Sequence, residues 1–287
     1  MSRLEQSTQG DLIRNPAARF LEFKNMYTKE EVVLKGKKKE IKVFEKCGFN
    51  YSEKVGEEWV QHFVDLPLEF AVLNGDWVNF KGWNETDKCK YWSNEVKNAD
   101  DTISIRNKEG IVYEFTLNDK WGKVAGSKVK DEALSKKVNA ALKGLNVKQH
   151  SSIYIGLKNE EDDSFELLNL QLKGANLSGI RDNDDKTKPS GWWNFSKKYK
   201  QGNVLYSKFV QLNDYTVEDG ELGEYGVLNW EMGNKIGDED NEKLEELFNQ
   251  LEEYHKFYLN KPKAVAEETK TELVTTEDDD DDQPLPF

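Results

Sequence analysis

Trp77-Val78-Asn79-Phe80-Lys81-Gly82-Trp83 sets two tryptophans, an asparagine and a lysine on alternate positions. In an extended chain that period of two puts Trp77, Asn79, Lys81 and Trp83 on one face and Val78 and Phe80 on the other. Aromatic planes beside ammonium groups suit one chemistry well. Nucleobases stack on such rings for about 1–3 kcal/mol each, while lysines and arginines track the phosphates. The mixture continues through Lys88, Lys90 and Tyr91, through Ser104 and Arg106 opposite Ile103 and Ile105, and at Tyr154 opposite Ile153 and Ile155. Gly191-Trp192-Trp193-Asn194-Phe195-Ser196-Lys197-Lys198-Tyr199-Lys200 is a second aromatic and basic cluster. The expected strand-contacting set is therefore Trp77, Lys81, Trp83, Lys88, Lys90, Tyr91, Arg106, Tyr154, Trp192, Trp193, Lys197 and Lys198. Any one of these tryptophans has a plainer reading as core, and the lysines beside them favour binding.

Catalytic chemistry finds less support. His62, His150 and His255 stand apart, with no cysteine at metal-ligand spacing beside them, so neither a nucleophilic triad nor a zinc site is indicated. Convergence of Cys47, His62 and Cys89 in space is the one metal alternative. Gly122-Lys123-Val124-Ala125-Gly126-Ser127-Lys128 lacks the Gly-Lys-Ser/Thr ending of a phosphate loop and reads as a basic turn. Glu160-Glu161-Asp162-Asp163 reads as a solvated acidic loop rather than a nuclease metal cluster. No enzyme activity, cofactor or metal is expected. The competing class is a Trp-rich β-sandwich that stacks on sugars, as carbohydrate-binding modules do.

The 287 residues carry a net charge of -13, which argues against a polyanionic ligand until its distribution is read. Residues 1–213 hold 35 Lys+Arg against 31 Asp+Glu, a net of +4, whereas residues 214–287 hold 6 against 23, a net of -17. A mildly basic body thus joins a strongly acidic tail. That tail runs through Asp278-Asp279-Asp280-Asp281-Asp282 and closes on Gln283-Pro284-Leu285-Pro286-Phe287. Like charges and sparse apolar content predict disorder there. The aspartates steer toward basic surfaces and the terminal aromatic supplies an anchor.

An acidic run ending in an apolar, aromatic tip resembles the C-terminal tip of the bacterial and bacteriophage single-stranded DNA-binding proteins. Gln283-Pro284-Leu285, between the aspartates and Pro286-Phe287, departs from the usual bacterial pattern. The body is more diffusely similar to the bacteriophage-type members at Leu66-Pro67-Leu68-Glu69-Phe70, Gly82-Trp83, Ser93-Asn94-Glu95-Val96 and Leu172-Lys173-Gly174-Ala175. The resemblance implies an OB-type barrel that coats single-stranded DNA in replication, recombination and repair. It also implies that Asp278, Asp279, Asp280, Asp281, Asp282, Pro286 and Phe287 dock on partners such as polymerase, helicase or primase. Self-association on the strand is compatible with it.

The elements that must position these residues read as mainly β. Short β-branched and aromatic runs at 59–64, 70–73, 77–83, 91–96, 102–106 and 111–115 are separated by turn chemistry at Asn74-Gly75-Asp76, Asn84-Glu85-Thr86-Asp87 and Asn107-Lys108-Glu109-Gly110. Upstream, Lys35-Gly36-Lys37-Lys38-Lys39 turns a hairpin. Further strands are expected at 152–157, 168–172, 203–212 and 225–230, the second alternating Leu168, Leu170 and Leu172 with Asn169, Gln171 and Lys173. Helical spacing marks 131–142, with Asp131 as cap and Gly144 as stop, and 240–258 through Leu244, Leu247, Phe248, Leu251 and Tyr254. The expected organisation is a flexible arm over 1–14, an OB-fold-like barrel with helical insertions over 15–260, and a disordered acidic tail over 261–287. No apolar run reaches the ~20 residues of a membrane span, and Met1-Ser2-Arg3-Leu4 opens no secretory signal. Two cysteines suit a reducing compartment, so the expected location is the cytoplasm, the host's if the chain is phage-encoded.

Overall fold

Asparagine side chains fold the turns as expected. Asn84 Oδ1 accepts the backbone N–H groups of Thr86 and Asp87 at 2.9 and 3.2 Å, and Asn107 Oδ1 accepts those of Glu109 and Gly110 at 2.8 and 3.2 Å. Asp131 Oδ1 accepts from the Leu134 N–H at 2.9 Å and starts the helix that Gly144 ends. The computed structural model describes residues 15–260 except 18, 35–36, 56–57, 125–128, 160–161, 181–189 and 221–222. The expected arm, and the tail with Asp278–Asp282, Pro286 and Phe287, lie outside the described residues.

In chain order the strands and helices are β1 (Arg19–Leu34), β2 (Lys37–Val55), β3 (Glu58–Val64), β4 (Leu68–Asn84), β5 (Cys89–Ser93), β6 (Thr102–Asn107), β7 (Gly110–Thr116), α1 (Leu117–Trp121), α2 (Glu132–Gly144), β8 (Lys148–Lys158), β9 (Phe165–Lys173), α3 (Ala175–Ser178), α4 (Trp192–Tyr199), α5 (Val204–Ser207), β10 (Lys208–Gly220), β11 (Gly223–Lys235) and α6 (Asp238–Asn260). All strands join one mixed sheet in the order β3-β2-β1-β9-β8-β4-β5-β6-β7, with β1–β9 parallel and β10 entering beside the start of β4.

Three expectations need correction. Asn74-Gly75-Asp76 does not turn the chain: β4 runs through it, because β8 offers a continuous partner and the extra residues are absorbed as register shifts, with Asp76 at φ 69°. The run from Asn203 opens as α5, one helical turn that buries Leu205, before β10 begins. The closed OB-type barrel is replaced by an open, forked sheet. β4 pairs with β8 along one edge and shares its other edge between β10 at Leu68–Ala71 and β5 at Lys81–Asn84. The β10–β11 hairpin folds back over β1, where Asn25 Oδ1 accepts the Gly226 N–H at 3.2 Å and the Tyr27 hydroxyl donates to the Glu224 carbonyl at 2.9 Å. Among the described residues no backbone ladder joins β11 to β2, so the sheet stays open.

The core has three parts. Leu21, Phe49, Phe70, Ile153, Ile155, Leu170 and Trp230 pack together with Trp192 of α4. Val78, Phe80, Ile103, Ile105 and Phe115 pack against Val138 and Leu142 of α2. Ala71, Leu73, Trp77, Tyr154 and Leu167 form the third with Leu244 and Leu251 of α6, each buried large side chain contributing about 1.5–3 kcal/mol.

Candidate nucleic-acid interface

The period of two on β4 holds after its bulge, but the face it defines is divided. At its start α6 lies over it. Trp77 is 2 % exposed and stacks on His255 with ring centroids 4.2 Å apart. Tyr154 is fully buried and its hydroxyl donates to Glu95 at 2.8 Å, while Asn79 donates to the same carboxylate at 3.1 Å. Trp77 and Tyr154 are therefore core, not stacking platforms; the helix that buries them is over 80 residues further along the chain.

Beyond Asn79 the face opens to solvent, and Trp83 is 49 % exposed. Register then decides which neighbours share it: Trp83 lies opposite Lys90, Lys81 opposite Trp92, and Trp92 opposite Arg106. Tyr91, one residue out of phase, points into the α2-side core and donates its hydroxyl to Asp87 at 2.9 Å. The expected Tyr91 is thus corrected to Trp92, which is exposed and was missed. Lys90 and Tyr91 are consecutive and cannot share a strand face, so alternation from Lys90 was the signal for Trp92.

Towards the middle of the sheet Lys81 lies opposite Lys148, His150 opposite Lys173, and Gln171 beside Glu22. Trp83, Lys81, Lys90, Lys148, Lys173 and Glu22 line a groove of about 530 Å³ there. Gly82 makes its near wall possible, since a Cβ at that position would collide with the Asn146 carbonyl. Asn146 in turn donates to the Trp83 carbonyl at 2.7 Å, fixing the strand that carries the exposed ring.

Lys81 is held by Glu22 and Gln171. Burial pushes the Glu22 carboxyl up, yet Lys81, Lys24 and Lys173 outweigh it and hold its pKa at about 2. Burial, then Lys81, brings His150 down to about 4, so it is neutral near pH 7; its Nδ1–H donates to the Lys148 carbonyl at 2.9 Å. Burial lowers Lys173 as well, Glu22 opposing and the neighbouring lysines reinforcing. Lys90, Lys148 and Lys173 make no ion pair among the described residues, so these cations are uncommitted.

The second expected cluster is a helix, which separates its consecutive tryptophans by about 100°. Trp192 goes inward, fully buried with its ring 5.3 Å from that of Trp230, and is core rather than platform. Trp193 is 39 % exposed and lines a groove of about 460 Å³ with Lys120, Lys143, Asn146 and Lys148. A third groove of about 470 Å³ holds Lys24, Tyr27, Lys148, Lys173 and Tyr225. The structure thus brings Lys81, Trp83, Lys90 and Trp193 around Lys148. Lys88, in the β4–β5 turn, and Lys197 and Lys198, on α4, are exposed outside these grooves. Arg106 is half-buried on the Trp92 face, its Nε without a hydrogen-bond partner among the described residues. Lys24, Tyr27, Lys120, Lys143, Lys148 and Lys173 were missed; only Lys173, alternating with Leu172, carried a local signal.

Cys47, His62 and Cys89 do not converge. The Cys47 thiol, raised by burial to about 11, donates to Asn25 at 3.1 Å, and His62 stacks on Tyr51. No cluster of three or more His, Cys, Asp or Glu that could hold a metal occurs among the described residues. Of the Glu160–Asp163 loop, Asp163 pairs with Lys158 and Lys243 at 2.7 and 3.1 Å. No helix among the described residues is long and apolar enough to cross a membrane. The chain matches no family model, no curated protein and no solved structure.

Proposed function

We propose that the chain binds single-stranded DNA, noncatalytically and with little sequence preference, around the end of the sheet where β8 begins at Lys148. The observation that carries this is the meeting of three grooves at Lys148, each with an exposed aromatic ring and at least two lysines. Trp83, Trp193 and Tyr27 offer faces to unstacked bases, and Lys90, Lys143, Lys148 and Lys173, which make no ion pair among the described residues, meet phosphates. The acidic tail, ending in Phe287, is proposed to recruit replication and recombination proteins through the aromatic anchor and the steering charge.

Titration of intrinsic tryptophan fluorescence with oligo-dT tests the reading. Quenching is expected, with log affinity falling against log salt at a slope of about -3 if four lysines each meet one phosphate. Equal affinity for duplex and single strand, or binding indifferent to salt, would overturn it.

A further inference from the structure

The three grooves share wall residues pairwise as well as Lys148. The Trp83 and Trp193 grooves share Asn146, the Trp83 and Tyr27 grooves share Lys173, and the Trp193 and Tyr27 grooves share Gly174. The shared residues lie at one rim of the sheet, where β8 begins at Lys148 and β9 ends at Lys173. Beyond the shared residues each groove has its own walls. One runs over the face of β4 to Trp83, another between α2 and α4 to Trp193, and a third along β1 to Tyr27 and Tyr225.

A linear strand passing over Lys148 enters by one groove and leaves by another. The third, with its own ring and lysines, stays empty. Lys148 and Lys173, the cations nearest the meeting point, have no ion pair among the described residues, and phosphates are most crowded where strands part. We infer that the preferred ligand is branched, a point where single-stranded arms of DNA diverge, with the branch at Lys148 and one arm in each groove. This rests on the single-strand reading above and names the class of strand it serves. Once two arms are seated the third binds at high effective concentration, so branching raises affinity without any new kind of contact.

The probe is a synthetic oligonucleotide with three dT arms joined at one branch point, compared with linear dT of the same total length. The branched probe should bind on the order of tenfold tighter. Trp193→Ala, at an exposed site, should weaken the branched probe more than linear dT, so that the ratio of the two affinities falls toward one. Lys148→Gln should weaken both, and circular dichroism of each variant checks the fold. Equal or weaker binding of the branched probe by a protein that binds linear dT overturns this inference alone. Failure to bind either probe removes the single-strand reading and this one with it.

Discussion

Two halves of one sheet face, continuous along β4 and β8, have opposite fates. The half under α6 holds Trp77, Asn79 and Tyr154 against Glu95 and His255. The half beyond it holds Trp83, Lys81 and Lys148 beside open grooves. One alternation runs through both, with Trp77 and Asn79 in the covered half and Lys81 and Trp83 in the open one. What separates them is a helix that covers one and stops short of the other, so periodicity assigns a residue to a face and only tertiary packing assigns that face to core or solvent.

The comparison breaks most visibly at its two tryptophans. Trp77→Ala should cost about 3–5 kcal/mol of stability, because it opens a cavity beneath α6. Trp83→Ala should leave denaturant unfolding within about 0.5 kcal/mol of the parent. Comparable unfolding midpoints for the two variants would erase the distinction.

Acid sharpens the contrast next. His255 is brought to about 4 by burial and then by Lys97, and His150 to about 4 by burial and then by Lys81. Both stay neutral in the folded protein while the unfolded chain protonates them below about 6.5. Stability is therefore complete above pH 6.5 and falls as pH drops toward 4, by roughly 1.4 kcal/mol per pH unit at most for each histidine. His255→Phe should keep the stack on Trp77 and remove about half of that slope, read from urea unfolding at pH 4.5 and 6.5. An unchanged slope would mean that α6 does not bury a titrating ring.

A smaller effect distinguishes neighbours on β5. Trp92→Ala should weaken oligo-dT binding by about 1 kcal/mol, at the low end for a stacked base, with little loss of stability. Tyr91→Ala should do the reverse, lowering stability through the α2-side core. Matching effects from both positions would contradict the register that puts Lys90 and Trp92 on the exposed face.

How far the sequence reached follows from what each signal depends on. Turns at Asn84 and Asn107, the Asp131 cap and the two long helices were legible because a side chain and its own neighbouring backbone decide them. The Asn74-Gly75-Asp76 bulge was not, since the same residues serve a turn or a bulge and the pairing with β8 chooses. Trp83 and Trp193 were legible as rings beside lysines, whereas Trp77 and Trp192, with equally basic neighbours, are buried by α6 and by the cluster around Trp230. Lys148 had no local signature at all. Its place at the centre of the site comes from β8 pairing with β4 and β9, strands distant from each other in the chain.

The central claim is that the region around Lys148, and not positive charge in general, holds the strand. Lys148→Glu and Lys88→Glu make the same charge change on two lysines that are both exposed, one where three grooves meet and one outside them. Oligo-dT affinity measured for both by fluorescence titration at low and moderate salt should fall at least tenfold for Lys148→Glu and no more than about twofold for Lys88→Glu, with the phosphate-linked salt slope reduced only in the former. Equal losses from the two substitutions would contradict the account.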